Sequence, residues 1–143
     1  MQIQYKDVYV AYVSMGTNPA ATVKAFNEAE AYNGPALIIA YAHCIEQGLN
    51  TANGPARQKI AVDSAHFPLW RYNPLAAAQG KNGLTLDSKA ATISFAETAT
   101  AENRFKQLLK ANPDHAQEML QKAEAGFKEN YQLLTELAAL PTL

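Results

Sequence analysis

The chain has a single cysteine, Cys44, and it falls where an apolar run gives out, in Leu37-Ile38-Ile39-Ala40-Tyr41-Ala42-His43-Cys44-Ile45-Glu46-Gln47-Gly48. A thiolate is a nucleophile and a soft metal ligand. Open α/β sheets gather their ligands outside the carboxyl ends of the strands, so a thiol delivered at such an end is placed to act. One thiolate cannot build a metal site by itself. Free cysteine is also among the most buried residue types and packs as a small hydrophobe, and that role stays open for Cys44. His43 beside it raises a cysteine and histidine pair, but such partners meet in space rather than in sequence, and adjacent side chains here diverge.

The remaining candidates read as structural. Ser14, in Ser14-Met15-Gly16, ends an apolar run as a nucleophile would, but the Gly-x-Ser-x-Gly elbow is missing and Ser14 reads as a turn residue. His66 and His115 read as ordinary, partly exposed histidines without ligand partners at metal spacing, and Asp63 reads as an acid on a helix face. Phe67, Trp70 and Tyr72 are expected to pack a strand against its helix rather than form a stacking platform for bases. Arg71 between them is expected to project to an interface. No residue is assigned a catalytic role by its type and spacing.

The elements that would carry these residues follow from the apolar pattern. Asp7-Val8-Tyr9-Val10-Ala11-Tyr12-Val13-Ser14 is too continuously apolar for a half-exposed strand and predicts a parallel strand covered on both faces. Asn18 can cap a helix that starts at Pro19 and carries Val23, Phe26 and Glu30 at helical spacing until Asn33-Gly34-Pro35. A strand over Leu37 to Ala42, a short helix from about Pro55 to Ala65 and a third strand over Pro68 to Pro74 complete two βαβ-like crossovers. Gln79-Gly80-Lys81-Asn82-Gly83 is turn-rich, and Leu84-Thr85-Leu86 adds a short extended segment to what reads as a surface excursion. Beyond it, a helix over about Thr98 to Ala111 and a second from Asn112-Pro113 are expected. The second carries Leu120, Ala123, Phe127, Tyr131, Leu134 and Ala138 on one stripe, so the chain ends in a helical hairpin with its stripe as core or subunit contact. The fold class is thus α/β, a mainly parallel sheet with flanking helices. Residues 1–143 are expected to form one domain or domain fragment, α/β over about 1–90 and helical over about 98–140.

Composition bounds the function. Of 143 residues, 48% are apolar and 17% charged, a charge density below the globular norm that hints at surface meant for a partner. A net charge of −1 with scattered Lys and Arg gives no electrostatic footprint for nucleic acid or an anionic membrane. No apolar run approaches the roughly 18 residues of a membrane span, and Met1-Gln2-Ile3-Gln4-Tyr5-Lys6 lacks the pattern of a signal peptide. The expected location is cytoplasmic, and one cysteine excludes an internal disulfide.

Several blocks together carry a resemblance. Val8-Tyr9-Val10-Ala11-Tyr12-Val13-Ser14-Met15-Gly16, Phe26-Asn27-Glu28-Ala29-Glu30-Ala31-Tyr32-Asn33-Gly34-Pro35 and Leu37 to Ile45 are similar to the C-terminal part of pyruvate:ferredoxin (flavodoxin) oxidoreductases. Ala61-Val62-Asp63-Ser64-Ala65-His66-Phe67-Pro68-Leu69-Trp70-Arg71-Tyr72-Asn73-Pro74 and Leu86-Asp87-Ser88-Lys89-Ala90 follow in the right order. Glu102-Asn103-Arg104-Phe105 then falls where that family has a similar helix.

The resemblance implies a share in a known chemistry. Enzymes of this family decarboxylate pyruvate on thiamine diphosphate held with Mg²⁺, pass electrons singly through [4Fe-4S] clusters to ferredoxin or flavodoxin, and transfer the acetyl unit to coenzyme A. The family's cysteine in the block that matches Tyr41 to Ile45 ligates the cluster nearest the thiamine, with three further cysteines coming from earlier in the polypeptide; Cys44 occupies that position. The family fold would make the chain the C-terminal portion of a thiamine-diphosphate-binding domain, in an enzyme expected to be a homodimer.

The chain also departs from the family. It contains no Gly-Asp-Gly, the segment that with a downstream Asn holds the diphosphate's metal, and no second cysteine. By itself the chain is therefore expected to be catalytically inert and to work with the remainder of the oxidoreductase. A related 2-oxoacid oxidoreductase is the first alternative, and a non-catalytic binding or assembly module with a structural Cys44 is the second.

Overall fold

The aromatic and β-branched run Tyr9–Val13 forms β1, paired in parallel with β2, Ala36–Ala40, in a computed structural model that describes residues 6–143. Met1 to Tyr5, which enter the reading of the leader, lie outside the described residues. Between the two strands runs α1, Pro19–Ala31, started as its sequence predicts: Asn18 Oδ1 accepts the Ala21 N–H at 3.0 Å and Pro19 needs no donor at the first position. A break at Asn33-Gly34-Pro35 returns the chain to the sheet, where the Tyr9 N–H donates to Pro35 O at 3.0 Å.

The next strand corrects the expected topology. After β2 come two short 3₁₀ turns, Ile45–Gln47 and Thr51–Asn53, and then α2, Gly54–Asp63. The third strand, β3 at Trp70–Tyr72, lies on the other side of β1 and runs antiparallel to it. Past a one-and-a-half-turn helix, α3 at Pro74–Ala78, the chain forms β4, Leu84–Leu86, again antiparallel. The sheet has the order β2-β1-β3-β4, and only β1 and β2 are parallel. The sheet is thus mixed and mostly antiparallel, not mainly parallel.

The cause is where the chain re-enters. It leaves β2 at Tyr41, whose N–H donates to Val13 O at 2.9 Å, and enters β3 at Trp70, opposite Tyr12. Departure and entry sit at the same end of β1, so β3 has to run the other way. The βαβ-like recurrence of strands and helices predicts a parallel third strand, but neither that recurrence nor the burial of Trp70, Arg71 and Tyr72 carries information on direction, whereas the run of β1 is parallel to β2 as expected. The region read as a surface excursion likewise ends in a strand of the sheet, with Leu84 4% exposed.

Two layers cover the sheet. On one face Val10, Trp70, Tyr72 and Leu84 pack with Leu134 of the long C-terminal helix; on the other Tyr9, Ala11 and Val13 pack with Ala25 of α1. The expected helix over 98–111 is two: α4, Phe95–Ala99, and α5, Asn103–Ala111. The chain breaks there because Glu102 is extended, at φ −98° and ψ 135°, and turns its carboxylate inward to Arg104. Asn112 then caps α6, Pro113–Ala139, through the His115 N–H, and α5 and α6 pack on each other. The predicted stripe of α6 faces inward, with Leu134 buried and Leu120, Ala123, Phe127, Tyr131 and Ala138 partly so.

Candidate site around Cys44

Cys44 sits at the exit of β2 and opens the first 3₁₀ turn with an extended backbone, φ −103° and ψ 126°. The side chain is exposed, so it does not serve as a small core hydrophobe. What holds the turn is below it. Gly48 closes it at φ +75°, in the left-handed region that glycine adopts without strain, and its N–H donates to Ile45 O at 2.9 Å. A Cβ at Gly48 would also lie 2.8 Å from Asn103 Nδ2, so the turn rests directly on the start of α5. Gln47 Oε1 accepts the Arg104 N–H at 3.0 Å, satisfying one of the free donors at that helix start.

The thiol and its neighbour diverge as extended geometry requires. His43 is partly buried against the first residue of α2, where a Cβ on Gly54 would approach its Cε1 to 2.7 Å, and its Nδ1 has no hydrogen-bond partner among the described residues. Tyr41, two residues earlier, turns inward. Its ring lies 5.1 Å from Phe67 and edge-on to His66 at 6.4 Å. Burial pushes the Tyr41 phenol above its ordinary value, and the Glu102 charge pushes the same way. His66 is enclosed by Phe95 at 5.2 Å and Phe127 at 4.9 Å, and burial lowers its pKa below the ordinary 6.5.

Below the turn lies a small charged layer that the type-and-spacing argument did not find. The Glu102 side chain is 3% exposed and accepts from Arg104 Nε at 2.5 Å, while Arg57 Nη2 donates to Thr98 O at 3.2 Å. The sequence signal for it was the block Glu102-Asn103-Arg104-Phe105, whose residues support the Cys44 turn from beneath.

The other candidates are dispersed. Ser14 is a buried turn residue whose Oγ donates to Gln58 Oε1 at 2.9 Å, and the same oxygen accepts the Gly16 N–H at 2.8 Å. Asp63 pairs with Lys59 at 2.6 Å on the face of α2, and His115 lies 3.9 Å from Glu118 on exposed α6. Trp70 stacks on Tyr12 at 4.6 Å and packs toward α6, as expected of a core aromatic.

Arg71 corrects its reading. It does not project to an interface but is 5% exposed, donating from Nε and Nη2 to the two oxygens of Asp87 at 2.6 and 2.9 Å and from Nη1 to Glu28 at 2.6 Å. Tyr9 donates its hydroxyl to the same Glu28 at 2.9 Å, and burial together with that carboxylate holds the phenol well above its ordinary range. One cation thus ties α1, β1, β3 and the segment after β4 together, with every partner satisfied.

The donor set limits what the chain can hold. Among the described residues no group of three His, Cys, Asp or Glu side chains could bind a metal ion, so an exposed Cys44 fits a cluster only as one ligand of a shared site. The chain has no Gly-Asp-Gly segment, and no His, Cys, Asp or Glu cluster among the described residues stands ready to hold the metal of a diphosphate. No helix among the described residues is long and apolar enough to cross a membrane.

No family model matches the chain. It is, however, 45% identical over 139 residues to a pyruvate-flavodoxin oxidoreductase of Nostoc sp., covering 97% of this chain and 12% of that protein. It is 44% identical over 139 residues to a pyruvate:ferredoxin oxidoreductase of Moorella thermoacetica, again 12% of that protein. A pyruvate dehydrogenase [NADP(+)] of Euglena gracilis is 45% identical over 120 residues, 6% of its length. The chain is therefore homologous, over nearly the whole of its own length but only about 12% of theirs, to a segment of the pyruvate-flavodoxin and pyruvate:ferredoxin oxidoreductases.

Proposed function

We propose that this chain is a cluster-ligating segment of a pyruvate:ferredoxin or pyruvate-flavodoxin oxidoreductase, with Cys44 as one thiolate ligand of a [4Fe-4S] cluster. The observation that carries the reading is an exposed lone thiol on a braced turn at the exit of β2, in a chain 45% identical to such an enzyme. A bound cluster supplies one-electron transfer. The chain's own part is to present the Cys44 sulfur. Gly48 lets the turn close, Gln47 fixes it to α5, and His43 packs away beneath, leaving the thiol open to the body that supplies the other three ligands.

The rest of the reaction belongs to that body: thiamine diphosphate with Mg²⁺, pyruvate, coenzyme A and the docking of ferredoxin or flavodoxin. The working enzyme is a cytoplasmic homodimer, and this chain alone has no pyruvate-dependent activity. NADP(+) in the name of one relative keeps a different final acceptor in view. A related 2-oxoacid is the competing substrate, because the substrate-contacting regions lie outside this chain.

The test is replacement. A full-length pyruvate-flavodoxin oxidoreductase carrying this chain in place of its own matching segment is to be assayed for pyruvate-dependent and 2-oxoglutarate-dependent reduction of an artificial acceptor. Pyruvate activity within about tenfold of the parent supports the reading. An enzyme that folds, binds thiamine diphosphate and stays inactive with both acids contradicts it.

A further inference from the structure

The charged layer beneath the Cys44 turn is not balanced. Glu102 and Arg104 pair with each other, and the Glu102 side chain is 3% exposed. Arg57 comes from the first turn of α2 and donates from Nη2 to Thr98 O at 3.2 Å, but among the described residues it joins no ion pair. Its Nε is buried and has no acceptor among them. The layer thus holds two guanidinium groups and one carboxylate, an excess of one positive charge. Keeping a partly buried cation without a counterion is costly, so Arg57 marks a place where negative charge is expected from outside the chain.

Three residues that flank Cys44 in sequence pack toward this layer. His43 rests against Gly54, where an added Cβ would come within 2.7 Å of its Cε1, and Arg57 follows about one helical turn along α2. Gln47 accepts the Arg104 N–H at 3.0 Å. Tyr41 turns inward, and its phenol feels Glu102 as an anion that raises its pKa and Arg104 and Arg57 as cations that lower it. The layer is therefore within electrostatic reach of the turn from both sides of Cys44. Glu46, on the turn itself, is exposed, and water and salt screen it.

We infer that this layer, with Arg57 as its uncompensated cation, sets the reduction potential of the cluster that Cys44 ligates. The inference rests on the function proposed above and adds to it what the chain contributes besides a sulfur. Reduction of a [4Fe-4S] cluster adds one electron and breaks no bond, so the reduced form carries one more negative charge than the oxidised form. A fixed cation nearby stabilises the reduced form more, and the potential rises. Arg57 acts here through its field and not as a ligand. Glu102 acts in the opposite sense.

The test is a dithionite titration, followed by electron paramagnetic resonance, of the full-length oxidoreductase carrying this chain. The signal to follow is the one that Cys44→Ala removes. At the parent's midpoint, Arg57→Gln should show a reduced-to-oxidised ratio lower by about threefold or more. Arg57→Lys keeps the charge and should stay within about 1.5-fold of the parent. Glu102→Gln removes an anion in nearly the same volume and should raise the ratio by about twofold or more. Equal midpoints in the parent, Arg57→Gln and Glu102→Gln overturn the inference while Cys44 remains a ligand. A shift in Arg57→Lys as large as in Arg57→Gln also overturns it, because packing and not charge would then be responsible. Should Arg57→Gln fail to assemble the cluster, the sign of the Glu102→Gln shift decides: a rise supports the inference, and no rise overturns it. If Cys44→Ala keeps its iron and its full spectrum, the ligand reading fails and this inference falls with it.

Discussion

Gln47 Oε1 accepts the Arg104 N–H at 3.0 Å, a bond across 57 positions of sequence that fixes the turn bearing Cys44 to the first turn of α5. Gln47→Ala removes the acceptor and leaves the Arg104 amide to water. Because both groups are near the surface, the cost is that of a modest net hydrogen bond, about 0.5–1 kcal/mol. Urea unfolding of the isolated chain checks it, and a loss below the error of the measurement would mean the turn is held by Gly48 and Asn103 alone.

Arg71 should be the most sensitive charged position. Its side chain is 6% exposed, and its removal would leave Asp87, 12% exposed, and Glu28, 23% exposed, facing each other without a cation. Partial hydration of the carboxylates softens the penalty for breaking a buried pair, so Arg71→Met is expected to cost about 3 kcal/mol. Arg71→Lys keeps the charge but loses the fork that spans both carboxylates, and should cost about 1–2 kcal/mol. Denaturation midpoints for the two variants test the order; equal effects would show that charge alone matters.

His66 gives the fold an acid sensitivity of definite sign. Burial lowers its folded-state pKa below the ordinary 6.5, so the folded protein binds fewer protons than the unfolded chain at mildly acidic pH. Its contribution is fully present above pH ~6.5 and is lost as pH falls through that value toward the folded pKa. His66→Leu, which keeps an apolar group between Phe95 and Phe127, should flatten the stability profile as pH falls below about 6.5. Thermal melts over that range read it, and parallel profiles for both proteins would assign the acid sensitivity elsewhere.

Cys44 should behave as an open thiol. Its exposure predicts alkylation of the native chain within about tenfold of a free peptide thiol, without prior unfolding. Cys44→Ser should change stability by no more than about 0.5 kcal/mol, as for surface positions without special contacts. Protection of the thiol in the native chain, or a large destabilisation, would return Cys44 to the structural role.

The local elements were legible because their signals are local. Asn18-Pro19 and Asn112-Pro113 start helices whose caps are made as expected, and the α6 stripe from Leu120 to Ala138 faces inward because 3.6-residue periodicity survives any topology. Strand direction was not legible. It depends on which end of β1 the 41–69 connection returns to, and no residue in Trp70-Arg71-Tyr72 records that. Arg71 was misplaced for a related reason: its partners Glu28 and Asp87 lie 43 and 16 residues away, so a lone arginine among aromatics looked unpaired until the fold assembled them. The position of Cys44 was readable, since a thiol at the end of an apolar run is a local pattern. Its bracing by Gln47, Gly48 and α5 required long-range contacts that only the resemblance around Glu102 to Phe105 foreshadowed.

The most direct test of the central claim is the iron content and low-temperature electron paramagnetic resonance of the full-length oxidoreductase carrying this chain, with Cys44 intact and with Cys44→Ala. If Cys44 completes a [4Fe-4S] cluster, the alanine variant should lose up to about four irons per polypeptide and the signal of one reduced cluster, while thiamine diphosphate still binds. Equal iron and an unchanged spectrum in the two proteins would contradict the account.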